Sequence, residues 1–173
     1  MRSIVSILAA LHDAEVDHVV VGGVAVVLRG HARMTVDLDL ALDLRADNAT
    51  AMVRVLTHEG LIPRLPVPAE HFADEQRRTE WVNHRHLVAF TLHDPDDPLR
   101  EVDLLATTPI PYAELSADAD VMSVDGIPVK VASVAHLIAM KRHSARPQDV
   151  ADIAALSALA QSPIVDHDGN NDG

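Results

Sequence analysis

Residues 35 to 44 read Thr-Val-Asp-Leu-Asp-Leu-Ala-Leu-Asp-Leu, and no other stretch constrains the fold as tightly. Val36, Leu38, Leu40, Leu42 and Leu44 alternate with Thr35, Asp37, Asp39, Ala41 and Asp43, a period of two that predicts a strand with one face on a core. Asp37 and Asp39 then point the same way, with α-carbons about 6.6 Å apart. Aspartate is disfavoured in strands, and like charges on one face repel, so the pair carries a cost that a cation would remove. A solvated face is the alternative reading, and it suffices for Asp43.

A third acid stands in the same style at Asp103, between Val102 and Leu104 in a predicted strand over residues 100 to 105. Another strand is predicted over 86 to 92. The turn-like Asp94-Pro95-Asp96-Asp97-Pro98 between them predicts an antiparallel pair. If the Asp103 strand lies beside the first, three carboxylates converge. Oxygen ligands of this kind suit Mg2+ or Mn2+, which bind jointly through carboxylates and substrate phosphates. Zinc fits less well: there is no cysteine, and the closely spaced His84 and His86 have no evident third ligand and read as surface residues.

The remaining periodicities fill in the architecture. Residues 2 to 14 predict an amphipathic helix, and 19 to 21 a buried strand ending at Gly22-Gly23. A helix over 24 to 29 closes at Gly30 as its C-cap. Asp47 or Asn48 caps a helix running to about Glu59, with Gly60 as terminator. Residues 63 to 85 read as an irregular excursion with a short helix near 69 to 76, and a further short helix is predicted near 109 to 115. Asp125-Gly126 marks a hairpin between 121–124 and 127–130. Ser133 caps a helix over 134 to 143, and Arg146-Pro147 opens another over 148 to 159. The fold class is α/β (α+β): a small twisted mixed sheet flanked by helices, with a C-terminal helical pair. Residues 1–160 read as one domain and 161–173 as a disordered tail.

Composition narrows the function classes. The chain has 173 residues, 48% of them hydrophobic, but only two Phe, one Tyr and one Trp, so base stacking is poorly supplied. Without cysteine there is no disulfide or thiol chemistry. A formal charge of -12 repels nucleic acid at long range, so an RNA substrate needs a local basic patch, for which Arg29, Arg33, Lys141, Arg142 and Arg146 are the candidates. No export signal or membrane span is read, which makes a cytoplasmic location with no membrane partner the expectation.

Gly22-Gly23 sits between a strand and a helix, where backbone amides can turn toward a phosphate. Downstream lies a polar cluster of Lys130, Ser133, Lys141, Arg142, Arg146, Asp149 and Asp152, whose members individually suit helix caps and dipoles. Taken in order, Gly22-Gly23-Val24-Ala25, then Gly30, Arg33, Thr35, Asp37 and Asp39, resemble the opening motif of the polymerase-beta-like nucleotidyltransferase superfamily, nearest to its AbiEii-type minimal branch, which includes toxins of toxin-antitoxin systems. Residues 101 to 105 resemble the strand carrying the third carboxylate. Ser133, Lys141 and the stretch from Arg146 to Asp152 resemble the C-terminal features, with Gln148 where many relatives have Lys.

The resemblance implies transfer of a nucleoside monophosphate from a nucleoside triphosphate to a hydroxyl on an RNA end such as tRNA, a protein or a small molecule. It implies metal at Asp37, Asp39 and Asp103, with Asp103 also helping to deprotonate the hydroxyl. Nucleotide contacts would come from Gly22, Gly23, Ser133 and Lys141, with Arg33 and Thr35 supporting the loop before the strand and Arg146 and Asp149 at the C-terminal helices. The chain has no room for the large helical substrate domain of longer relatives, so a protein partner, an antitoxin or a second subunit is expected to complete the cleft. A degenerate nucleotide-binding or antitoxin-like module and a metal-dependent phosphohydrolase are the rival readings.

Overall fold

The computed structural model describes residues 4–161. The tail expected over 161–173 lies outside the described residues except for Gln161, which ends the last helix. In chain order the elements are α1 (Ile4–Asp13), β1 (His18–Val21), α2 (Gly22–Leu28), β2 (Asp37–Leu42), α3 (Ala46–His58), β3 (Ile62–Pro63), a 3-10 turn (Ala69–Phe72), α4 (Glu75–Arg85), β4 (Ala89–His93), β5 (Glu101–Leu105), α5 (Tyr112–Ala117), β6 (Asp120–Val124), β7 (Ile127–Val131), α6 (Val134–Ser144) and α7 (Pro147–Gln161). The strands form one mixed seven-stranded sheet in the order β3-β4-β5-β2-β1-β7-β6. It is the expected mixed sheet flanked by helices, with α6 and α7 as the C-terminal pair.

β2 lies inside the sheet, antiparallel to β1 and parallel to β5. Its apolar row supplies Leu38 and Leu40, which join Val102 and Leu104 of β5 and Phe90 and Leu92 of β4 in the core, all fully buried. Burying each such side chain stabilises the fold by about 1.5–3 kcal/mol relative to leaving it in water. The same alternation puts the other row on the opposite face. The predicted antiparallel pair is β4 with β5, and the Asp-Gly hairpin is β6 with β7.

Helix ends follow capping chemistry. Gly30, at φ +103°, closes α2 with its own N–H on Val27 O and the N–H of His31 on Val26 O, which is the Schellman arrangement. Ser133 accepts from the N–H of His136 and caps α6. Neither Asp47 nor Asn48 caps α3, which starts at Ala46 with Arg45 at the N-cap position and no side-chain cap. Asn48 lies buried inside the helix, where it accepts from Asp17 N–H and donates to the carbonyls of Asp17 and Asp43, tying α3 to the ends of β1 and β2. The α2 helix also begins earlier than expected, at Gly22.

Residues 63 to 85 are more ordered than their sequence indicates. Asp74 caps α4, an eleven-residue helix whose composition is almost wholly polar. Two residues fasten it. Trp81 stacks on Phe90 at 5.7 Å between ring centroids, and buried Arg78 donates to the carbonyls of Phe72 and Leu44. At the other end of the sheet's edge, Arg100 is 1% exposed. It donates to the Glu59 carbonyl (2.8 Å), the Glu59 carboxylate (2.7 Å) and the Asp94 carboxylate (2.9 Å), clamping the end of α3 to the β4–β5 turn.

Candidate active site

Parallel pairing of β2 and β5 sets Asp37 opposite Glu101 and Asp39 opposite Asp103. Because side chains alternate across a strand, all four carboxylates fall on the face away from the core. They line a cleft of about 750 Å3 together with Gly22, Gly23, Arg33, Thr35, Arg64, Lys141, Arg146, Gln148 and Asp149. Of the basic and polar residues singled out in the sequence, Arg29, Lys130, Ser133, Arg142 and Asp152 are not among its lining. Ser133 is occupied as a helix cap, and the Arg29 guanidinium is taken by Asp120 and the carbonyls of Val131 and Ala132.

The glycine pair is explained by close approach. A Cβ on Gly22 would stand 1.9 Å from Asp39 Oδ2, and one on Gly23 would stand 2.3 Å from both Arg33 Nη2 and Thr35 Oγ1. Gly22 also has φ +61°, which favours glycine. The glycines thus let β2 and the loop before it press against the start of α2. The Gly23 amide lies 3.4 Å from Asp39 Oδ2, a weak hydrogen bond.

Burial raises the Asp39 carboxyl to about 6, and the neighbouring Asp103 and Asp37 charges add to this. Asp37 is raised as well, by burial first and then by Glu101 and Asp103. Among the described residues no three His, Cys, Asp or Glu side chains are gathered closely enough as they stand to enclose a metal ion. The donor set nevertheless fits a hard cation: every donor is a carboxylate, and their mutual repulsion is what a cation relieves.

The sign of the Asp39 shift has a consequence for stability. A carboxyl whose folded pKa lies above its unfolded value of 3.8 binds its proton more tightly when folded. Its contribution is therefore favourable at low pH and is lost as pH rises from about 4 through about 6. In chelator, urea unfolding at pH 4.5, 5.5 and 6.5 is expected to show Asp39→Asn gaining stability relative to the native chain across this window. Parallel pH profiles for the two chains would refute the burial of Asp39 as a charge.

Three further residues shape the site. Thr91, opposite Asp103 on β4, donates its hydroxyl to Asp103 Oδ1 at 2.6 Å and fixes the carboxylate's rotation. Arg64 forms a short ion pair with Glu101. Sequence reading missed Thr91 and Arg64. The antiparallel pair was legible, but which β4 residue faces Asp103 depends on a register the sequence does not print. Lys141 is 8% exposed and lies between Asp149 (3.1 Å) and Asp152 (2.7 Å), with Arg33 3.4 Å from Asp152. Burial acts to raise Asp149, but hydrogen bonds from Ser144, the Arg146 amide and Lys141 hold it below the ordinary carboxylate value. These ions lock α6 to α7 and to the loop before β2. Of the basic residues lining the cleft, Arg33, Arg64 and Lys141 are each in an ion pair, and Arg146 is in none among the described residues.

No family model matches the chain, and no curated protein matches it by sequence. Solved structures match by shape. The lincosamide antibiotic adenylyltransferase LnuA, lincomycin-bound, superposes with a TM-score of 0.60 at 16% identity, over 90% of this chain and 95% of that one. ANT(2")-Ia in complex with adenylyl-2"-tobramycin gives 0.59 at 15% identity, over 91% and 87%. An antigenic nucleotidyltransferase-like protein from Paracoccidioides brasiliensis gives 0.54 at 21% identity, over 90% and 75%. At these identities the likeness speaks for architecture, and it establishes that the chain has the fold of nucleotidyltransferases.

Proposed function

We propose that this chain is a metal-dependent nucleotidyltransferase that moves a nucleoside monophosphate from a nucleoside triphosphate to the hydroxyl of a small molecule. The observation that carries the reading is the register of Asp39 on Asp103, with Asp37 beside them, inside a cleft of a nucleotidyltransferase fold. Asp37, Asp39 and Asp103 would hold Mg2+ or Mn2+, which supplies charge neutralisation for the phosphates and the leaving pyrophosphate. Gly22 and Gly23 would receive the triphosphate, with the Gly23 amide beside Asp39, and Arg146, which is in no ion pair among the described residues, would contact it. Lys141, pinned by Asp149 and Asp152, positions α6 and α7 and adds positive charge near Asp39.

Thr91 occupies one oxygen of Asp103, and its second oxygen has no protein partner among the described residues. That oxygen takes the proton of the acceptor hydroxyl. The acceptor oxygen bonds to the α-phosphorus as the bridging bond to the β-phosphate breaks, and the electron pair departs with pyrophosphate. The solved relatives named for lincomycin and tobramycin support a small acceptor over an RNA end.

Calorimetric titration with each of the four nucleoside triphosphates tests the reading. Saturable binding that requires magnesium is expected, weakened at least a hundredfold in Asp37→Ala/Asp39→Ala. A native chain that binds no triphosphate, or a double variant that binds as well as the native chain, would sink the proposal and favour an interaction module.

A further inference from the structure

The cleft has an apolar component that the transfer chemistry does not use. Among the described residues, Met34 is 92% exposed, Leu99 67% and Val88 60%, and all three line it. Ala89 and Leu105, paired across β4 and β5, continue this surface two residues beyond Asp103 on the same face, and Pro109 borders it. Asp103 therefore has apolar side chains beyond both ends of its strand: Leu99 before β5, Val88 and Leu105 at its far end. Large aliphatic side chains left in water inside a concave site mark a surface that a ligand covers.

The charges on the same walls exclude two kinds of occupant. A phosphodiester chain needs free cations, yet Arg33, Arg64 and Lys141 are neutralised by Asp152, Glu101 and the Asp149–Asp152 pair, leaving Arg146 for the triphosphate. A polycation needs free carboxylates, yet Glu101 and Asp149 are paired, and the proposed metal claims Asp37, Asp39 and Asp103. What remains free on these walls is nearly neutral, and beyond Asp103, toward Val88, Ala89 and Leu105, it is apolar.

We infer that the acceptor is a hydroxyl compound of low net charge with an apolar face, seated on Val88, Ala89, Leu105 and Leu99 so that its hydroxyl meets Asp103. The inference rests on the transferase reading and narrows its substrate class. Burying alkyl groups on such a surface tightens binding about three- to fourfold for each methylene covered.

The test is calorimetry on the full chain with magnesium and a saturating triphosphate, using four probes: hexyl β-glucoside below its micellar range, methyl β-glucoside, a polycationic amino sugar, and a short single-stranded RNA with a free 3′ hydroxyl. Hexyl glucoside is expected to bind at least tenfold more tightly than each of the others. Val88→Asn/Leu99→Asn, two exposed positions, is expected to lose about tenfold for hexyl glucoside while retaining magnesium-dependent triphosphate binding, which reports that the variant is folded. Tighter binding of the amino sugar or the RNA, or a double variant that binds hexyl glucoside as the native chain does, overturns the inference and leaves the transferase standing. Failure of the triphosphate itself to bind the native chain overturns both.

Discussion

Replacing Arg100 by methionine is expected to destabilise the chain by about 3–5 kcal/mol, the range for removing one partner of a buried ion pair. Arg100 is 1% exposed, and methionine cannot replace the three hydrogen bonds that its guanidinium donates to the Glu59 and Asp94 carboxylates and to the Glu59 carbonyl. Much of the penalty is the cost of keeping two largely buried carboxylates charged beside a hydrocarbon in place of a cation. Arg100→Met/Glu59→Gln/Asp94→Asn should therefore recover a substantial part of the loss. Chemical unfolding of the three proteins checks this, and a triple variant less stable than the single one would refute the account.

The second large effect is expected at Gly22. Alanine there meets two obstacles: a φ of +61°, which costs an L-residue about 1–2 kcal/mol, and Asp39 Oδ2 at 1.9 Å. The carboxylate and the alanine methyl cannot both stay. Gly22→Ala should lose about 2–4 kcal/mol of stability, beyond the strain term alone, and weaken magnesium-dependent triphosphate binding at least tenfold as Asp39 is displaced. Gly126→Ala separates the two causes, because Gly126 has φ +85° but nothing within 4 Å of its Cβ position. Equal losses at the two glycines, with nucleotide binding intact in both, would show that the contact with Asp39 does not matter.

What the sequence shows and what it hides divide along physical lines. The 35–44 alternation reveals β2, its buried leucines and its outward carboxylates because a strand's period is written directly in residue order. Asp103 is legible for the same reason. The α4 helix is not: Glu75–Arg85 has no apolar stripe, and its attachment depends on Trp81 meeting Phe90 and Arg78 meeting distant carbonyls. The glycines are conspicuous in sequence, but their partners Asp39, Arg33 and Thr35 emerge only from packing. Lys141 stands out in sequence as a basic residue of the C-terminal helices, but its Asp149 and Asp152 partners emerge only from the α6–α7 pairing. The apolar rim at Val88 and Leu99 is invisible because isolated aliphatics in loops look alike whether they face a cleft or open water.

The parallel pairing of β2 with β5 also determines when the carboxylate centre can exist. Parallel neighbours need a crossover, and here α3, β3, α4 and β4 all intervene before Asp103 can reach Asp39. Loop closure over that length comes before any reward from the contact. On the ribosome, a nascent chain that has made β2 but not β5 holds two of the three acids, and one that has made β5 still lacks the α6–α7 wall with Lys141 and Arg146. The centre is a late product of synthesis, so unfinished chains carry no assembled carboxylate cleft.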